Sequence, residues 1–270
     1  MLTEAQISKR GLAYYKLGES GTPVMLVMGL GMHGHAWALQ AEHLSKHHQV
    51  AFFDHYGLGK SQPVPKGMNH MRKMADDALD IMDELGWDKA HLVGISMGGM
   101  ISQHMALMMP ERFLSLSLLA TTAGGFLRPI PTWKWFQRFP RLATAGKPET
   151  RAQAIKSILF PPDYLKELSD EQHQALESVY GHEVPLSTVL SHVRVVMTHN
   201  TQKQLSQLTL PTMIVKPGQD ILIPPNESER LYKLLPEARF HVYEEAGHGL
   251  LRQCTERINH DLLAHFRDAE

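Results

Sequence analysis

Residues 91–100 read HLVGISMGGM, an apolar run that ends in a serine set between glycines. The run AHLVGI has the length and apolar character of a strand, and MGGMISQHMALMMP after it has the spacing of a helix. Ser96 therefore falls at a strand-to-helix turn, with Gly94 and Gly98 two residues to either side. Such a turn holds its central residue in a strained backbone conformation, at about 1–3 kcal/mol, and the glycines let neighbouring backbone pass close by. The hydroxyl is then raised above the sheet edge, at a helix N-terminus whose amides and dipole favour an anion. As plain structure the same residues describe a serine N-cap in a glycine-rich turn, so the surroundings must decide.

Outward from Ser96, short apolar runs recur: PVMLVM, QVAFFD, AHLVGI, FLSLSLLA, PTMIVKPG and ARFHVYEEAG. Helix-length segments fill the gaps near 35–47, 71–85, 98–109, 226–235 and 254–266. Runs of this kind suit strands buried on both faces by crossover helices, which predicts an α/β domain around a mainly parallel sheet. From residue 123 the pattern turns helical, with amphipathic pieces at 149–160, 169–180 and 186–199, and strand character resumes at LPTMIVKPG. The expected organisation is a core of residues 1–122 and 206–270, with 123–205 inserted as a helical cap over the sheet's carboxyl edge.

Composition narrows the function classes. The chain has 270 residues, 43% hydrophobic and 20% charged, enough for one large domain or a core with an insertion, and no long uncharged apolar run could cross a bilayer. A net charge of −1 supplies no overall field for nucleic acid or an anionic membrane, so neither is expected as a partner. Cys254 stands alone and cannot form an intrachain disulfide, and MLTEAQISKRG lacks the basic and apolar regions of a secretory leader. A reducing, cytoplasmic setting is the expectation. The 15 methionines read as adaptable core filling.

A serine hydroxyl is a poor nucleophile at neutral pH and needs a base, which in turn needs an orienting acceptor. Among 17 histidines, His248 lies in a glycine-bounded loop, EEAGHGLL, directly after a strand-like run. The acceptor should come from another strand end, and PTMIVKPGQDILIPP places Asp220 just past one. Asp220 could instead only stabilise its own turn, and Glu244 and Glu245, on the same strand end as His248, are weaker choices. The strand end LLATTAGG carries no carboxylate. Attack on a carbonyl also needs donors for the oxyanion, and losing one typically costs roughly 3 kcal/mol of transition-state stabilisation. The backbone N–H of Met97 is one candidate, and that of Leu30, in VMLVMGLGMHGHAW, is the other. Gly29, Gly31 and Gly34 would shape that turn, with Gly29 also expected to meet substrate.

The histidines of HGHAW, His33 and His35, with His43, His47 and His48, match no metal motif, and a helix starting near His35 would spread them over several faces. No metal is expected, although His33 and His35 could line the pocket beside the oxyanion turn. In PTWKWFQRFP, Trp133, Trp135 and Phe136 are expected to fasten the cap to the core, with some of them facing substrate.

Taken in order, MLVMGLG, FFDHYGLGKS, HLVGISMGGM, PTMIVKPGQDILIPP and YEEAGHG resemble the α/β-hydrolase superfamily over most of the core. The resemblance implies an eight-stranded, mostly parallel sheet, a helical cap, no metal or organic cofactor, and Ser96, Asp220 and His248 as nucleophile, acid and base. The segment HNTQKQLSQLTLPTMIVKPGQDILIPP is further similar to the branch of carboxylesterases, 3-oxoadipate enol-lactonase and cofactor-free haloperoxidases. Two positions depart from that pattern: Met28 precedes Gly29 where many relatives have histidine, and Tyr56 in DHYGLGKS replaces an arginine, so the hydrogen bonding of that loop must differ. A serine at position 96 argues against dehalogenation, which needs an aspartate nucleophile. The expected activity is cleavage of small to medium, partly apolar carboxylic esters through an acyl-enzyme. Lactone hydrolysis on the same residues, and a ligand receptor that keeps the fold without turnover, stand as alternatives.

Overall fold

Five of the six apolar runs become strands buried along almost their whole length. The computed structural model describes residues 4–68, 70–125 and 148–270. Its strands are β1 (Gln6–Ile7), β2 (Ala13–Leu17), β3 (Pro23–Val27), β4 (Gln49–Phe53), β5 (Ala90–Ile95), β6 (Phe113–Leu119), β7 (Thr212–Pro217) and β8 (Arg239–Tyr243). They form one eight-stranded sheet in the order β1-β2-β4-β3-β5-β6-β7-β8. From β4 through β8 all neighbours are parallel, and β1 and β2 add an antiparallel edge.

Successive residues of a strand point to opposite faces, and here each face has its own helical layer. Met25, Val27, Leu92, Leu116 and Ile214 pack with Met74, Ala78 and Ile81 of α2 (Met71–Glu84) and with Met100, Ile101 and Met105 of α3 (Met97–Met108). Val24, Leu26, Val93 and Val215 face the other way, onto Leu44 of α1 (Ala38–Leu44) and onto Ile258, Leu262 and Phe266 near the C-terminus. Each such side chain, fully buried, contributes roughly 1.5–3 kcal/mol. Several of the methionines do fill this core, as expected.

Between β6 and β7 the described residues add no strand to the sheet. They form α4 (Pro148–Leu159), α5 (Pro162–Glu167), α6 (Asp170–Tyr180), α7 (Leu186–Thr198) and α8 (Gln202–Leu205). Ser169 starts α6 with a reciprocal cap, its hydroxyl accepting from the Gln172 amide while the Gln172 side chain accepts from the Ser169 amide. Leu159, Phe160, Leu176 and Tyr180 give this helical segment a small core of its own. The chain after β7 continues through α9 (Asn226–Leu234), α10 (Leu250–Gln253) and α11 (Thr255–Ala269). No helix among the described residues is long and apolar enough to cross a membrane.

Because β3 to β8 run in parallel, the loops that follow them gather at one edge, where an open α/β sheet places its ligands. Ser96, the turn after β3, and the loops carrying Asp220 and His248 all lie there.

Candidate active site

Ser96 has φ 56° and ψ −123°, a conformation that residues with a side chain rarely adopt, directly between β5 and α3. The surroundings hold it in place. Its N–H donates to the Leu119 carbonyl at 3.0 Å, and its own carbonyl accepts from the Thr121 hydroxyl at 2.7 Å. The flanking glycines are required by close approach: a Cβ on Gly94 would overlap the Ser102 hydroxyl, and one on Gly98 would overlap the Val27 carbonyl and lie 2.7 Å from the Met28 carbonyl. As the first residue of α3, Met97 has an amide with no acceptor inside the helix.

Asp220 and His248 are brought together by their loops. Gly218 N–H donates to Tyr243 O and Gln219 N–H to Ala246 O, each at 2.8 Å, so the chain after β7 is bonded to the chain after β8. His248 Nδ1 then lies 2.6 Å from Asp220 Oδ2. The Asp220 side chain is fully buried, and a buried carboxylate must be met by donors. Its other oxygen, Oδ1, accepts from the amides of Leu222 (2.8 Å) and Ile223 (3.0 Å). The glycines beside His248 also have a reason. A Cβ on Gly247 would lie 2.6 Å from the Leu159 carbonyl, one on Gly249 would overlap the Phe160 ring, and the Gly249 N–H donates to Leu159 O at 2.8 Å. The loop of His248 is thus seated on the end of α4. Glu245 instead pairs with Arg257 at 3.2 Å.

The turn after β3 abuts the serine: a Cβ on Gly29 would be 3.1 Å from Ser96 Cβ and 3.6 Å from its Oγ. Two histidines bracket this turn. His55 Nε2 donates to the Met28 carbonyl at 2.8 Å, and the Gly31 N–H donates to Nδ1 of His192 in α7 at 3.4 Å. Asp54 organises the neighbouring loop, accepting from the Gly34 amide at 2.8 Å and from the Tyr15 hydroxyl at 3.2 Å. Tyr56 in the same loop donates its hydroxyl to the Arg10 carbonyl at 2.7 Å.

His33 is half-buried and stacks on His182 with ring centroids 4.5 Å apart, whereas His35 packs edge-on against Tyr15 at 4.3 Å. The two therefore diverge, and among the described residues no three His, Cys, Asp or Glu side chains gather in a metal-binding set. Trp133, Trp135 and Phe136 lie outside the described residues. The sequence reading missed His55, His192 and Phe160. One signal was present for His192: with Thr188 and Val195 it forms the buried stripe of an amphipathic helix.

A family profile described as alpha/beta hydrolase fold matches residues 22–251. The chain belongs to the α/β-hydrolase fold family. A protein of Azorhizobium caulinodans named as a carbamate hydrolase, RutD, is 29% identical over 93% of this chain and 93% of its own. Among solved structures, a thermophilic esterase from Thermogutta terrifontis is 25% identical with a TM-score of 0.81, covering 99% of both chains. The enol-lactonase of Burkholderia xenovorans LB400 is 22% identical with a TM-score of 0.82, covering 98% of this chain and 100% of its own. This α/β-hydrolase thus stands among hydrolases on both sequence and fold.

Proposed function

We propose that this α/β-hydrolase cleaves carboxylic esters through an acyl-enzyme, with Ser96 as nucleophile, His248 as base and Asp220 as its orienting acid. The observation that carries the reading is the buried Asp220–His248 pair at 2.6 Å, on the same sheet edge as the strained serine. With Nδ1–H committed to Asp220, the ring's Nε2 is left to accept a proton. His248 takes the Ser96 proton as Oγ attacks the ester carbonyl, and the Leu30 and Met97 amides receive the oxyanion. Collapse expels the alcohol, which takes the proton back from His248. Water, deprotonated by His248, then splits the acyl-enzyme and returns Ser96 with the free acid. The described helices between β6 and β7 would cap the site, with Gly29 and His33 at its wall.

A second reading is favoured by the RutD-named relatives: the same attack on a carbamate carbonyl. A carbamate carbonyl is deactivated by its nitrogen, so the same site would turn over a carbamate more slowly than an ester of equal leaving group unless it holds that nitrogen specifically.

The test is labelling by a fluorophosphonate probe in the wild type and in Ser96→Ala, followed by rates on p-nitrophenyl butyrate, a p-nitrophenyl carbamate and an enol-lactone. The reading expects labelling that Ser96→Ala abolishes, and fastest turnover on the open-chain ester. Faster turnover of the carbamate or the lactone would reassign the substrate, labelling without turnover would indicate a receptor, and absence of Ser96-dependent labelling would remove the nucleophile.

A further inference from the structure

We propose that His192 is a positioning residue which, from helix α7, sets the orientation of the peptide whose N–H receives the oxyanion. This rests on the hydrolase reading above and adds a residue to it.

The Leu30 N–H belongs to the peptide linking residues 29 and 30, and its direction is fixed by the peptides on either side. The peptide before it is held by His55, whose Nε2 donates to Met28 O at 2.8 Å. The peptide after it is held by His192, whose Nδ1 accepts from the Gly31 N–H at 3.4 Å. The two rings meet edge to face, 5.7 Å apart. The turn is therefore gripped at its carbonyl from the core and at its amide from the helical segment between β6 and β7.

The protonation state of His192 follows from its donors. An amide that donates to Nδ1 requires a lone pair there, which places the ring proton on Nε2. Burial and the neighbouring His55 hold the ring's pKa down at about 3, outweighing the Tyr56 carbonyl that favours the protonated form. Nδ1 accordingly stays an acceptor across the working pH range. The ring is 1% exposed. Burying a polar ring is costly, and leucine would fill the same helix stripe without that cost. What histidine supplies here and leucine would not is the bond to the turn.

The base loop is tied to the same segment, because Gly249 N–H donates to Leu159 O at the end of α4. The loop of the proposed proton acceptor and the turn of the Leu30 donor are thus both bonded to the helices between β6 and β7.

The experiment compares His192→Leu, which lacks an acceptor, with His192→Gln, which keeps one, using p-nitrophenyl butyrate turnover per active site counted at the end point of fluorophosphonate labelling. Misplacing a donor by an ångström is worth up to about 100-fold in rate, so His192→Leu is expected to lose about 10–100-fold in kcat with KM little changed. Its inhibition constant for a trifluoromethyl ketone, which presents an oxyanion, should rise in parallel. His192→Gln should recover at least several-fold, and the acid limb of the rate profile should not move. Should the leucine variant not fold, His192→Met carries the same comparison. A kcat per active site within about twofold of wild type, or a loss confined to KM or to thermal stability, would overturn the proposal. Absence of Ser96-dependent labelling in the wild type would instead remove the reading on which it rests.

Discussion

Replacing Asp220 by asparagine tests the proposed proton path at the point where the structure constrains it most. Oδ1 of Asp220 accepts two backbone amides, from Leu222 and Ile223, and Oδ2 faces His248 Nδ1. An asparagine that keeps its oxygen on the two amides turns its NH2 toward Nδ1, which must then become an acceptor, so the ring proton moves to Nε2. In that tautomer His248 cannot take a proton from Ser96. The opposite flip keeps the productive tautomer but sets an NH2 against two part-buried amides, each left without its acceptor at about 1–3 kcal/mol. The productive flip therefore costs roughly 2–6 kcal/mol, which confines it to between about one molecule in 30 and about one in 3 × 10⁴. The side chain also loses the charge that stabilises the imidazolium, which pushes the outcome toward the larger loss. The expected result is a fall of at least about 30-fold, and up to about 10⁴-fold, in the rate of fluorophosphonate labelling and in kcat on p-nitrophenyl butyrate, with the circular dichroism spectrum unchanged. A folded Asp220→Asn protein within about fivefold of wild type would refute the assignment.

Gly98→Ala should be far more damaging than its size suggests, because the added carbon meets the Val27 and Met28 carbonyls rather than a mobile side chain; a loss of more than about 2 kcal/mol is expected in urea denaturation, together with slowed labelling, and an unchanged midpoint would contradict the packing described. Acid should destabilise the fold. Burial holds His192 and His199 down at about 3, and His91 and His104 at about 4, against the ordinary value of 6.5. The folded state keeps these rings neutral while the unfolded chain protonates them, so stability is full above pH 6.5 and falls as the pH drops toward 4, by roughly 1–2 kcal/mol per ring between pH 7 and 5. Denaturation midpoints equal at the two pH values would count against it. Cys254, 9% exposed, has its thiol pushed up to about 12 by burial and by Glu245, so it should react with a disulfide reagent at pH 8 only after unfolding, and rapid native modification would refute the burial.

Five of the six runs read as strands are buried along almost their whole length, where nearly every residue is apolar and the pattern announces itself, while the sixth, β8, is a partly exposed edge strand. β1 and β2 escaped for the converse reason. β1 is two residues long, and β2, AYYKL, mixes a lysine into an antiparallel edge where its pairing, not its composition, makes it a strand. The site divides in the same way. Ser96, Asp220 and His248 carry local signals, since each sits in a turn directly after an apolar run. His55 and His192 carry almost none, because their role is defined by a carbonyl 27 residues away and an amide 161 residues away. Even Gly247 and Gly249, visible as loop glycines, have their cause in Leu159 and Phe160, far back in the chain.

The sheet alone does not complete the proposed triad. β5, β6, β7 and β8 are consecutive neighbours, and strands lie about 4.8 Å apart, so Ser96 and the end of β8 are separated by roughly 14 Å across the sheet. Asp220 is the third residue past β7 and His248 the fifth past β8, and at about 3.3 Å per extended residue either loop could point away as readily as toward the serine. What decides the direction is a short set of backbone bonds: Gly218 to Tyr243 and Gln219 to Ala246 tie the two loops to each other, and Gly249 to Leu159 ties the base loop to α4. The strand order brings the right segments to one edge, and those bonds decide how Asp220 and His248 sit there. Substitutions at Leu159 or Phe160, which lie against Gly247 and Gly249, are accordingly expected, like those at His192, to change the rate while Asp220 and His248 themselves stay unaltered.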